Sequence, residues 1–179
     1  MDVINSNRVD WRDSKIQRDM LDDEQWIRDF LCKWELTATL PMNADNLKKL
    51  KRLRDLMRTI CIALNADLAL QQDQLHEINL MLTSVSSQFQ LNASKNAFEM
   101  EQMYNAEDWT LVLWQTTYSF AQLLSKPDVN RLKVCDNQNC EWIFLDQSKN
   151  QTRRWCDTKV CGNIMKVRRF RNRKKEQND

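Results

Sequence analysis

Glycine occurs once in 179 residues, proline twice and histidine once. A chain of this size ordinarily carries about a dozen glycines. Tight-turned β-sandwiches draw heavily on glycine and proline, so the shortage argues against them and favours helices. The lone histidine, His76, falls on a helical stretch, which leaves no Ser/His/Asp or Cys/His set. There is no glycine-rich phosphate loop, and the acidic residues show no spacing that singles out a pair. The sequence therefore points away from an enzyme. No apolar run approaches the roughly 18 to 20 residues needed to cross a bilayer. The opening "MDVINSNRVDWRDSK" lacks the apolar core of a secretory signal. The expected compartment is the cytoplasm, with no membrane partner, where disulfides are disfavoured.

What is present is a chain with 42 % hydrophobic and 29 % charged residues, suited to a soluble globular fold. Its net charge of +2 hides an asymmetry. Residues 1–130 hold 14 basic and 19 acidic side chains, a net of −5, whereas residues 131–179 hold 13 and 6, a net of +7. An acidic body is joined to a basic, anion-seeking C-terminal unit.

Helical periodicity dominates the body. The first twenty residues are polar and carry no clear pattern. Asp22, with Gln25 three residues later, predicts a helix start ahead of Trp26, Ile27, Phe30, Leu31 and Trp34. Asn43 is a candidate cap for a helix carrying Leu47, Leu50, Met57, Ile60 and Leu64. Lys48, Lys49, Lys51, Arg52 and Arg54 form its other face and read as a solvated surface. A third helical stretch spans about 67–82. The period then changes to two: Val85, Phe89 and Leu91, then Phe98 and Met100, flank "NASKN" and predict a β-hairpin. With no glycine in its turn, Asn92 or Asn96 would supply any left-handed residue. A further helix begins near Asn105 and carries Trp109, Leu113, Phe120 and Leu124. It stops before Pro127, and "SKPDVN" connects to the basic unit. Trp26, Trp34, Trp109 and Trp114 read as core, as do Cys32 and Cys61.

The remaining cysteines are Cys135, Cys140, Cys156 and Cys161, two C-x4-C pairs fifteen residues apart. That pattern fits one tetrahedral zinc ion held by four thiolates, a closed site with no place for a catalytic water. Disulfides, or cysteines buried in an ordinary core, are the alternatives. Between the pairs, "EWIFL" and "TRRWC" are strand-like and "DQSKN" supplies a turn. The lone glycine, Gly162, follows the last cysteine directly, where a sharp bend with φ > 0 is expected.

This stretch resembles the CGNR zinc-finger family through Cys135, Cys140, Phe144, Asp146, Ser148, Asn150, Arg153, Arg154, Trp155, Cys156, Cys161, Gly162, Asn163 and Lys166. The fourth letter of that motif is arginine, but position 164 is Ile, so any role of the arginine falls to a neighbour such as Arg168 or is lost. More loosely, "DVINS" and "INLML" resemble the ABATE domain that usually precedes this finger. The chain starts almost on the first of these, which leaves room for a leading segment. The resemblance implies a stress-linked bacterial transcription regulator.

From Lys166 to Lys175 the sequence reads "KVRRFRNRKK". As a helix it would place Lys166, Arg169 and Arg173 on one face, able to track a phosphate backbone or reach base edges. The same charges could instead offset the thiolates or form a solvated tail. The resulting expectation is an α+β chain. Residues 1–126 form a mostly helical ABATE-like domain with a small antiparallel β-hairpin. Residues 131–175 form a zinc-ribbon-like finger with a basic C-terminal helix. Its expected role is DNA binding through Arg153, Arg154, Lys166, Arg168, Arg169, Arg171 and Arg173, with Zn2+ at the four cysteines. The alternative is a zinc-stabilised protein-interaction or RNA-binding module. A small-molecule effector and homo-oligomer formation remain open.

Overall fold

Asn43 opens the longest helix of the chain, its side chain accepting the Asn46 N–H at 2.8 Å, as the sequence predicts. This is seen in a computed structural model that describes residues 1–9, 17–95 and 97–176. In order the elements are β1 (Asn7–Val9), β2 (Gln17–Asp19), α1 (Glu24–Lys33), α2 (Ala44–Asn65), α3 (Gln72–Thr83), β3 (Ser87–Ala93), β4 (Phe98–Tyr104), α4 (Asp108–Leu124), β5 (Leu132–Val134), β6 (Ile143–Leu145) and α5 (Asn163–Glu176). The strands form three separate antiparallel pairs, so the fold is helices with small strand pairs. Among the described residues no helix is long and apolar enough to cross a membrane.

The core sits where α2, α4 and α1 meet. Ile27, Leu50, Leu53, Met57, Ile60, Trp109 and Val112 are fully enclosed there. It does not stop at α4. Leu132 of β5 and Ile143 of β6 belong to the same apolar cluster, so the cysteine-bearing unit is packed onto the helical body. Polar groups seal this junction. The Asn5 side chain donates to the Ile143 carbonyl at 2.8 Å and accepts the Ile143 N–H at 2.9 Å. Asn65 Oδ1 accepts the Val134 N–H at 2.9 Å.

Several expectations shift. Asp23, not Asp22, caps α1, accepting from the N–H groups of Gln25 and Trp26; either of two adjacent aspartates satisfies the pattern. The helix expected near Asn105 begins at Asp108, because Asn105 closes the hairpin by bonding Ser86 in both directions. Asn92 lies within β3 rather than in its turn, and the alternative Asn96 lies outside the described residues. Arg54 departs from the solvated face: it is 4 % exposed and pairs with Asp19 at 2.7 Å beneath the β1–β2 pair. Trp34 is 52 % exposed, its Nε1 donating to Asp2, and Cys32 is exposed.

The glycine shortage leaves a mark on helix ends. Helices α1 and α2 both finish in Schellman turns. Glu35 N bonds Cys32 O and Leu36 N bonds Leu31 O; Asp67 N bonds Leu64 O and Leu68 N bonds Ala63 O. The residues at the left-handed position are Glu35 and Asp67, each with φ 53°. An L-residue there costs about 1–2 kcal/mol, whereas glycine loses about 0.4–1 kcal/mol more chain entropy on folding. Glu35→Gly and Asp67→Gly are therefore each expected to raise stability by about 0.5–1 kcal/mol, read as a higher urea midpoint at unchanged slope. A lower midpoint would contradict this account.

Candidate metal centre

Asn137 organises the first cysteine turn. Its carboxamide oxygen accepts the Asn139 N–H, and its backbone carbonyl accepts from Cys140 at 2.7 Å. This folds "CDNQNC" back on itself and brings Cys140 beside Cys135. The second turn is built by Asp157, which accepts the N–H groups of Lys159 and Val160 at 2.7 and 2.9 Å. It starts a single π-type turn, Thr158–Gly162, that carries Cys161 and runs straight into α5.

The two turns bring all four sulfurs within 4.8 Å of one another. Cys140 and Cys156 are 3.6 Å apart, and Cys156 and Cys161 3.8 Å. Thiolates about 2.3 Å from a central ion at tetrahedral corners lie about 3.8 Å from each other. A disulfide would need about 2.05 Å, and all six cysteines are free. The donor set and spacing thus fit one tetrahedral ion, and the disulfide alternative drops out.

Electrostatics favour a cation in this nest. Cys135 gives up its proton more readily than Cys140 or Cys156. Thiol hydrogen bonds from Cys140 and Cys156 lower its pKa, against the cost of burial. Its neighbours respond in the opposite sense: the thiols of Cys140 and Cys156 are pushed up, foremost by the proximity of Cys135. Four thiolates this close cannot all ionise without a positive charge at their centre. Asn137 is wholly buried and donates to Cys161 Sγ at 3.5 Å, the kind of outer contact that fixes a ligand's orientation. Sequence reasoning missed Asn137; an Asn two residues after a ligand cysteine was the available signal.

The segment between the cysteine pairs is not the predicted two-stranded loop. Strand β6 pairs with β5, not with 152–156, which carry no strand. The return path is held by one carboxylate instead. Asp146, fully buried, accepts from Ser148 Oγ at 2.6 Å and from Ser148 N, Arg153 N and Lys133 Nζ, each at 2.9 Å. These donors, Ser148 Oγ first, hold its pKa well below the usual carboxylate range. Because the folded value is lowered, this contribution to stability is complete at neutral pH. It fades only as acid takes the pH below the ordinary aspartate range.

Gly162 is corrected as well. Its φ is not positive, and its N–H donates to the Asp157 carbonyl rather than to sulfur. Packing is the constraint. A Cβ at this buried position would lie 3.4 Å from Thr158 Cγ2 and 3.5 Å from Trp155 Cε3, an ordinary contact. Gly162→Ala is therefore expected to keep full metal affinity. Gly162→Val adds two methyls against Trp155 and Thr158 and should weaken metal binding by roughly tenfold or more, as overpacking of about 1–3 kcal/mol dictates. Competition with a chromophoric chelator reads both; equal losses for Ala and Val would point back to backbone conformation.

The seven basic residues singled out in the sequence do not form one surface. Arg153 faces inward. Its guanidinium donates to the carbonyls of Trp155 and Cys156 and lies 4.9 Å from the Phe144 ring centroid. Arg154 is paired with Asp136 and remains 54 % exposed. Half-buried Arg168 reaches Asn137 Oδ1 at 3.5 Å, which links α5 to the cysteine cluster through the Asn137 side chain. Lys166, Arg169, Arg171 and Arg173 are exposed on α5. Among the described residues none of these four has an ion-pair partner, and Lys166, Arg169 and Arg173 share one face at helical spacing.

Residues 131–174, about a quarter of the chain, match the model of the family described as CGNR zinc finger. The matched span contains all four clustered cysteines and most of α5. The chain finds no match among curated proteins.

Proposed function

We propose that the four-cysteine cluster holds Zn2+ and that the unit presents α5 to nucleic acid, foremost DNA, as part of a bacterial transcription regulator. One observation carries the reading. The basic face of α5, Lys166, Arg169 and Arg173, continues directly from the turn that carries Cys161 and is free of acidic partners among the described residues. A metal-fixed turn thus aims a rigid row of cations outward, as phosphate contact requires. The acidic body, resembling the ABATE domain, would then sense a signal or mediate assembly. Arg153 has an inward task in this reading, and Arg168 supports the cluster. Phosphate contact falls to Lys166, Arg169, Arg171, Arg173 and the exposed Arg154. No catalytic step is part of the proposal.

Five neutralised phosphates give a slope of log affinity against log salt of about −4 to −5. Replacing Lys166, Arg169 and Arg173 together with Gln is expected to reduce that slope in magnitude by about 2.7 and to leave zinc content unchanged. Fluorescence anisotropy with duplex DNA and with RNA of matched length, at several salt concentrations, reads this directly. Binding that ignores salt, or no binding at low salt, would sink the proposal. Metal analysis of the purified chain separates zinc from a single tetrahedral iron, which the same four sulfurs could hold.

A second reading rests on Val167 and Phe170, 48 % and 56 % exposed on the same helix. Apolar groups there suit a protein partner better than a phosphate. Partner binding that survives the triple Gln substitution would favour this reading.

A further inference from the structure

The hairpin β3–β4 is an arm without a core. Its register pairs Phe89 with Gln102, Leu91 with Met100 and Ala93 with Phe98, so these residues share one face. Phe89, Leu91, Phe98 and Met100 on that face are 64, 67, 75 and 71 % exposed. The opposite face carries Gln88, Gln90, Asn92, Glu99 and Glu101, with Met103 its one large apolar side chain. The alternation that predicted the strands is therefore a true amphipathic pattern, but nothing among the described residues covers its apolar side. An isolated two-stranded hairpin is marginal in water, and a sheet with one apolar face normally packs against a second layer.

We infer that the missing layer is the same face of a second copy, so that two arms stack face to face in a homodimer. Three observations favour a copy over an unrelated partner. No charged residue lies on the apolar face, so self-stacking buries no ion and opposes no like charges. The four exposed side chains present about 500 Å² on each copy, or about 1,000 Å² for the pair, which is the lower bound for a specific interface before the rest of the strip is added. The strip also continues toward the body. Tyr104 at the root of the arm lies 5.4 Å from Trp114, which stacks on half-exposed Tyr118 at 4.9 Å. Two such sheets at about 10 Å spacing enclose eight large apolar side chains, a two-layer sandwich related by a twofold axis. This inference does not depend on the nucleic-acid reading.

Sedimentation equilibrium of the zinc-loaded chain over roughly 1–100 μM tests it. The parent chain is expected to dimerise. Leu91→Lys with Met100→Lys should raise the dimer dissociation constant by at least about 100-fold, since both sit at the centre of the face. Because both side chains are already exposed in the monomer, circular dichroism and zinc content should not change. Met103→Lys, on the opposite face, should leave the dimer intact. A parent chain that stays monomeric throughout overturns the inference. So does a dimer indifferent to the double substitution, or one that Met103→Lys disrupts equally.

Discussion

Replacing Cys156 with serine is expected to abolish tight metal binding and to lower the melting temperature of the whole chain. The unit around the sulfurs has almost no core of its own. Its buried cluster is Cys135, Phe144 and Cys161, with Cys140, Trp142, Trp155 and Cys156 partly covered, so four of its seven members are the clustered cysteines. Structural zinc in small modules contributes about 10–16 kcal/mol of apparent binding free energy, against about 5–15 kcal/mol for the net stability of a typical domain. The effect spreads because Leu132 and Ile143, which belong to the main core, sit on strands held by this unit. Elemental analysis should find one zinc per parent chain and under about a tenth of that in the Cys156→Ser chain. Calorimetry should show the parent transition shifted down, and a strong chelator should reproduce the shift in the parent. A chain that keeps stoichiometric zinc after the substitution would end the four-thiolate account.

The same site has a sign-definite pH dependence. In the metal-free chain the thiols of Cys140 and Cys156 have raised pKa values, the former to about 12, so both carry protons at neutral pH. Binding must displace at least these two protons. Log affinity is then expected to fall by about 2 or more for each unit that the pH drops. Isothermal titration in buffers of different ionisation enthalpy counts the released protons. A count below two would show that Cys140 and Cys156 do not both bind the ion as thiolates.

What the sequence disclosed depends on how local the cause was. The paired cysteines, the Asn43 cap and the hairpin alternation are short-range patterns, and the fold contains all three. Residues 152–156 have strand-like side chains, yet they form no ladder, and the Asp146 carboxylate takes the Arg153 N–H instead. The β1–β2 pair is only three residues a side, too short for any period to show. Arg54 belongs to a charged stripe by sequence. Only the arrival of Asp19 from an earlier segment turns it inward. Gly162 followed the general rule for glycine in sequence reading, but in the structure the nearby Trp155 ring is the constraint. Alternation in 85–100 revealed strands and could not reveal that neither face would be covered.

Asn5→Ala is expected to cost about 2–4 kcal/mol, a large loss for a single polar substitution away from the four cysteines. Among the described residues strand β6 has β5 on one side only, and its other edge at Ile143 is buried with no further strand against it. Asn5 stands in for that strand, with its carboxamide matching both the donor and the acceptor of the Ile143 peptide groups. Alanine would leave a buried N–H and a buried C=O unpaired, each costing about 1–3 kcal/mol. Aspartate could still accept from the N–H but would set a carboxylate against the Ile143 carbonyl, so Asn5→Asp should be no better than alanine at neutral pH. Denaturant unfolding of the zinc-loaded chain measures the loss, and hydrogen exchange at the Ile143 amide locates it. Zinc content near one per chain at 25 °C would show that the junction, not the cluster, has been weakened. A change under about 0.5 kcal/mol would mean that water replaces the carboxamide at this edge and that the helical body and the cysteine unit are joined chiefly by Leu132 and Ile143.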